Sequence, residues 1–179
     1  MKSIYTIGHS TRTLEEFIEM LQSFEIQHLV DIRGLPGSNK YPQFNKENLG
    51  VVLPEIGIAY THLTLLGGRR KVHKDSKNTR WHNESFRAYA DYMETPDFEK
   101  GIAQLIAIAE KETTAYMCAE AVWWRCHRSM ISDYLKVKGW QVNHIMGIGK
   151  REPHRYTAPA RIIGDKVMYY DDKDNLLID

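Results

Sequence analysis

The chain alternates short β-rich runs with stretches of helical apolar spacing, and that alternation limits its fold more than any other property. Ser3–Ile7, His28–Ile32, Ile58–Leu63, Ala115–Met117 and Val142–Ile145 read as strands. Helical spacing fills each gap: Leu14, Phe17, Ile18, Leu21 and Phe24; then Leu49, Val52, Leu53 and Ile56; then two stripes, Phe86–Met93 and Phe98–Ala109; then about Cys126 to Lys138. Thr13-Leu-Glu-Glu16 forms a capping box, and Thr95-Pro96 places a cap before a proline at the first helical position. Asn45 is expected to cap the second helix, and Pro54 to bend it or end it early. Gly164-Asp165 separates two short β-rich runs, which predicts a C-terminal hairpin.

Strands that alternate with helices pair in parallel, because each crossover must carry the chain back along the sheet. The expected fold is therefore α/β, one compact domain with a mostly parallel sheet of about five strands flanked by helices. Residues 1–150 form this domain, and residues 151–179 an extension packed on it or trailing from it. The bulk properties exclude several classes. Two cysteines in 179 residues are no disulfide scaffold and suit a reducing, cytoplasmic compartment. A net charge of +1 creates no global field for nucleic acid or a membrane surface. No apolar run approaches the ~20 residues of a membrane span, and Met1–Ile7 is too short for a signal peptide before Gly8-His9 interrupts it.

In open parallel sheets, ligands bind beyond the carboxyl ends of the strands, so the residues that follow each strand carry the functional reading. They are Gly8-His9-Ser10, then Asp31 with Arg33, then Gly67-Gly68-Arg69-Arg70, then the run Cys118 to Arg128. This last run gathers both cysteines with Glu120, Arg125, His127 and Arg128. Cys118 is a candidate nucleophile if a cation lowers its pKa, and Glu120 a candidate general acid or base. His9 can exchange protons near neutral pH, or simply bond a neighbouring loop; Ser10 can hold an anionic group, or cap a helix. Asp31 and Arg33 share one side of an extended chain and either orient each other or present Arg33 to an anion. Arg69 and Arg128 are further anion ligands. Bland readings stand beside these: solvated arginines in a turn, a core His127, thiols packed as small apolar groups.

The run fits none of the familiar motifs. Cys118 to Arg125 is Cys-x6-Arg, one residue longer than the Cys-x5-Arg loop of cysteine phosphatases and rhodaneses. Cys118, Cys126 and His127 offer an alternative metal set, but Cys-x7-Cys-His is no standard zinc spacing.

Several segments together resemble the bacterial and archaeal family called domain of unknown function 488. They are Tyr5–Ser10, Val30–Arg33 with Pro36 and Ser38, Gly57-Ile58 with Tyr60, Leu66–Arg69, Tyr89–Met93, Met117–Glu120, Cys126–Arg128 and His144-Ile145. The resemblance implies a compact α/β domain whose matching positions form its site, and implies no reaction. Three functions are compatible with the residues. One is an enzyme for an anionic substrate, phosphate-bearing, nucleotide or nucleic-acid-related. The second is a nucleic-acid-binding module built on the basic loop 69–80 with Trp81 and His82. The third is a metal or thiol redox site. Neither a cofactor nor an oligomeric state is legible.

Overall fold

The computed structural model describes residues 2–171; the acidic end beyond Asp171 lies outside them. The described residues form five α-helices and a six-stranded sheet. Strands β1 (Ser3–Gly8), β2 (His28–Asp31), β3 (Ala59–His62), β4 (Thr114–Cys118), β5 (Gln141–Gly147) and β6 (Lys150–Pro153) lie in the order β3-β2-β4-β1-β5-β6. All neighbours are parallel except β5 and β6. The predicted hairpin forms from β7 (Arg161–Ile163) and β8 (Lys166–Met168).

The chain steps outward from β1 to β2 and β3, then returns to insert β4 and continues past β1 to β5. Reversing the direction of the crossovers reverses the face on which their helices lie. Helices α1 (Leu14–Ser23) and α2 (Lys46–Glu55) bury Phe17, Met20, Leu49 and Leu53 against Ile7, Leu29, Ala115, Met117 and Ile145. Helices α3 (Glu84–Tyr92), α4 (Pro96–Ala109) and α5 (Arg128–Val137) bury Tyr89, Phe98, Leu105, Ile131 and Leu135 against Ile4, Val30, Tyr116 and Val142. Successive strand residues supply opposite faces, as the pleat requires. Cys118, two residues beyond Tyr116, therefore belongs to the side of α3, α4 and α5.

Local chemistry sets the boundaries. The Thr13 hydroxyl accepts from the Glu16 amide at 3.1 Å, and the Thr95 hydroxyl from Phe98 at 3.3 Å. Asn45 precedes α2 but spends its side-chain oxygen on the Ser38 amide, and Pro54 falls in the last turn, where the helix ends. Strand β6 carries Lys150, Arg151 and Pro153 on the sheet edge, where charge and a missing N–H discourage pairing with another chain. None of the described helices is long and apolar enough to cross a membrane.

Candidate functional site

Parallel register carries the strand ends to one edge. Gly8 pairs with Cys118, and Asp31 with Met117 and His62. The loops stay zipped beyond the strands: the His9 amide donates to the Cys118 carbonyl at 3.1 Å, and the Ser10 amide to Ala119 at 2.9 Å. Glycine makes this approach feasible. A Cβ at Gly8 would overlap the Glu120 carbonyl oxygen, and one at Gly68 would lie 3.1 Å from the His127 ring. Two non-glycine residues of these loops, Ser10 (φ 52°) and Arg69 (φ 61°), occupy the left-handed region, a conformation that costs about 1 kcal/mol.

A cleft of about 470 Å³ opens at this edge. Arg33, Gly34 and Leu35 line it after β2, Gly68 and Arg69 after β3, Cys118 to Glu120 after β4, and Arg125 to His127 ahead of α5; Ser85, Phe86 and Tyr89 of α3 close the far side. It lies toward β2 from the β1–β4 boundary, where the crossover direction changes, because the zipped loops of β1 and β4 fill that boundary. Another cavity, of about 310 Å³ beneath β7 and β8, holds none of these groups.

The two thiols form the floor of the cleft. Their sulfurs are 2.8 Å apart, within about an ångström of disulfide bonding distance. The Cys126 sulfur also accepts the Arg128 amide at 3.4 Å, at the start of α5, where the helix dipole favours negative charge. Burial pushes the Cys118 thiol up. The hydrogen bond with Cys126, the charge of Arg128 and main-chain hydrogen bonding at Glu120 outweigh it and bring the thiol down to about 7. Burial, together with the hydrogen bond and charge of Cys118, pushes Cys126 well above the ordinary thiol range. One thiolate is thus shared unequally by the pair.

Arg128 is the unusual charge. Its side chain is fully buried, its Nε and Nη1 have no partner among the described residues, and Nη2 reaches only the Ala121 carbonyl at 3.5 Å. No carboxylate among the described residues pairs with it, and Glu120 is exposed at the rim instead. A buried guanidinium without a counterion is costly. Its charge acts on both thiols and favours the thiolate of Cys118.

Arg33 shows the opposite arrangement. Its Nε and Nη2 hold Asp31 at 2.9 and 2.7 Å, Nη2 also meets the Phe44 carbonyl at 2.7 Å, and Tyr60 donates to Asp31 at 2.5 Å. Nη1 lies 3.2 Å from His9 Nε2, and His9 Nδ1 lies 2.8 Å from the Ser10 carbonyl. A neutral His9 that donates through Nδ1 and accepts at Nε2 satisfies both bonds; burial, opposed by the Ser10 carbonyl, lowers its pKa. His9 also stacks on Phe44 at 4.4 Å. His9, Asp31 and Arg33 therefore form one tied unit, from which Arg33 alone lines the cleft. Arg69 and Arg125, both exposed, add positive charge at the mouth.

Among the described residues, His127 bonds no acid. Its Nε2 lies 3.0 Å from the Ile32 carbonyl, its ring meets Tyr89 at 4.8 Å, and burial pulls it down to about 4. Among the described residues, no group of three or more His, Cys, Asp or Glu side chains is arranged to hold a metal ion. In the basic loop, Arg70 caps carbonyls of residues 64–67 and lies over Tyr92, Lys77 pairs with Glu94, and Arg80 pairs with Asp171.

Sequence reasoning passed over a second buried polar chain, next to the thiols. Thr6 Oγ1 meets His144 Nδ1 at 2.5 Å, His144 Nε2 meets His154 Nδ1 at 2.8 Å, and His154 Nε2 meets Asp133 at 2.8 Å. Thr157 and Tyr169 donate to the same carboxylate. Trp123, inside the thiol loop, stacks on His144 at 4.6 Å and 5°.

A family model, the domain of unknown function DUF488, matches residues 13–135. The chain belongs to the DUF488 family. Its matched span carries Asp31, Arg33, Arg69 and the complete thiol loop, while His9, His144 and His154 lie outside it. Comparison with curated proteins and with solved structures finds no match.

Proposed function

We propose that this DUF488 protein is a thiol-dependent enzyme that acts on an anionic, phosphate-bearing substrate in the cleft at the strand ends. The supporting observation is the buried Arg128 beside a thiol brought down to about 7. That pairing keeps a nucleophilic thiolate at neutral pH. Arg69 and Arg125 attract the anion at the mouth, with Arg33 on the cleft wall, its guanidinium held by Asp31. Cys118 attacks phosphorus, forming an S–P bond as the P–O bond to the leaving group breaks. Glu120 hands a proton to the leaving oxygen and regains one from an attacking water. That water breaks the S–P bond, releasing phosphate and restoring the thiolate. His9 acts by holding Arg33 in place.

Turnover of p-nitrophenyl phosphate and protection of Cys118 from iodoacetamide by inorganic phosphate test this reading. Cys118→Ser should abolish turnover, and Glu120→Gln should lower it by 10²-fold or more. Full turnover in Cys118→Ser, or no turnover in the wild type together with unprotected alkylation, overturns it.

The 2.8 Å sulfur contact favours a second reading, in which Cys118 and Cys126 pass two electrons and two protons to an oxidant and become a disulfide. Intact mass after mild peroxide treatment distinguishes it: a loss of about 2 Da without added oxygen supports the disulfide, and sulfenic or sulfinic adducts on Cys118 alone exclude it.

A further inference from the structure

Beside the thiol cleft runs a groove of about 400 Å³, lined by Trp81, Trp123, Trp124, Arg155, Tyr156 and neighbouring residues 157–159. Three of the four tryptophans of the chain meet there. Trp124 is 50% exposed, an unusual state for an indole, and stands perpendicular to Trp123 at 5.5 Å. Trp123 is anchored by its donation to Glu152 at 2.6 Å, and Trp81 by packing on Phe86 and Tyr169. The indole walls are thus fixed while one aromatic face remains in solvent.

The groove and the cleft share a wall. Trp124 lines one and Arg125 the other; Trp81 in the groove packs on Phe86 in the cleft at 4.9 Å. Charge along this wall is positive. Arg125 and Arg155 are exposed and have no acidic partner among the described residues, whereas Glu152 is occupied by Trp123. Aromatic faces next to uncommitted guanidinium groups suit a planar ring attached to a phosphate.

We propose that the groove is a stacking subsite for the base of a nucleotide unit whose phosphate enters the thiol cleft. The proposal rests on the phosphate reading above and names its substrate class: a nucleoside monophosphate or a single-stranded nucleic acid. The base stacks on Trp124, and Arg155 and Arg125 follow the sugar-phosphate.

Tryptophan fluorescence titrations with AMP, with an oligothymidine octamer and with inorganic phosphate test this, each paired with the rate of Cys118 alkylation. AMP or the octamer should quench fluorescence and slow alkylation; the tighter of the two identifies the free nucleotide or the nucleic acid as the source. Trp124→Ala, at an exposed position, should weaken that binding ten-fold or more, as loss of one stacked base requires, and should leave phosphate protection of Cys118 unchanged. Equal binding by Trp124→Ala, or no binding of either nucleotide probe while phosphate still protects Cys118, overturns the subsite and leaves the phosphate reading intact. Loss of protection by all three probes removes both.

Discussion

Arg128 and Gly8 make the site at the scale of single residues. An unpaired guanidinium in the core is costly, and its charge favours the Cys118 thiolate, so the two groups are linked. Arg128→Met should raise the midpoint of Cys118 alkylation from about 7 toward the ordinary thiol value of about 8.5. The same change should leave the unfolding free energy unaltered or increased, since an apolar side chain of similar length removes a buried charge. A pH series of iodoacetamide rates and a urea titration measure the two. An unmoved midpoint would mean that Arg128 does not support the thiolate. Gly8→Ala should destabilise the protein by about 3 kcal/mol or more, because the new methyl meets backbone that cannot yield; urea denaturation reads this directly. That Cys118, Glu120 and Arg33 would meet beyond the strand ends was legible in the sequence. The pairing of Arg33 with Asp31, two residues away on the same side of a strand, was one of two readings of that spacing. The contact between Cys118 and Cys126 was not legible: seven intervening residues fix no distance until the Trp123–Arg125 turn folds.

At the scale of elements, capping signals were read correctly where the capping side chain had no competitor. Thr13 and Thr95 bond the amides that their spacing implies, while Glu16 pairs with Arg12 instead of completing the box at the Thr13 amide. Thr95→Ala should therefore cost about 1 kcal/mol, seen as a lower urea midpoint with an unchanged slope. Asn45 was drawn away by a loop amide that no local pattern reveals. Strand β6 escaped notice because Lys150-Arg-Glu-Pro153 lacks alternating apolar residues; it is held by the exposed edge of β5, a tertiary cause. The Asp133–His154–His144–Thr6 chain escaped for the same reason, since each member is unremarkable in its own segment. Asp133→Asn leaves an amide facing several donors and should cost about 1–3 kcal/mol, with the greatest loss of amide-exchange protection in α5 and around Tyr169.

The whole molecule is a doubly covered sheet whose parallel order follows from strand–helix alternation, and that much was written in the sequence. Its strand order was not, because apolar spacing does not say which neighbour a strand takes. Two imidazoles are held neutral, His127 ahead of α5 and His144 on β5. Burial takes His127 down to about 4 and, with the charges of His154 and Arg128, His144 down to about 2. Above about pH 6.5, folded and unfolded chains alike hold these rings neutral. Below it the unfolded chain gains protons that the folded chain refuses, so stability falls by about 1.4 kcal/mol per pH unit for each ring. Urea unfolding at pH 5.5 should therefore show about 2–3 kcal/mol less stability than at pH 7.5; equal values would mean that these rings are hydrated.

Asp133 also has a consequence in time. Its carboxylate sits on α5, directly behind the thiol loop, yet its ligands come from His154, Thr157 and Tyr169. A chain through residue 150 holds β1 to β5, the five helices and both cysteines, but lacks the three partners of that charge. A buried carboxylate without those partners is costly, so α5 docks fully only once residues 154–169 have joined the fold. Enclosure of the thiol loop, which is bonded to the start of α5, thereby depends on a segment outside the span that the family model matches.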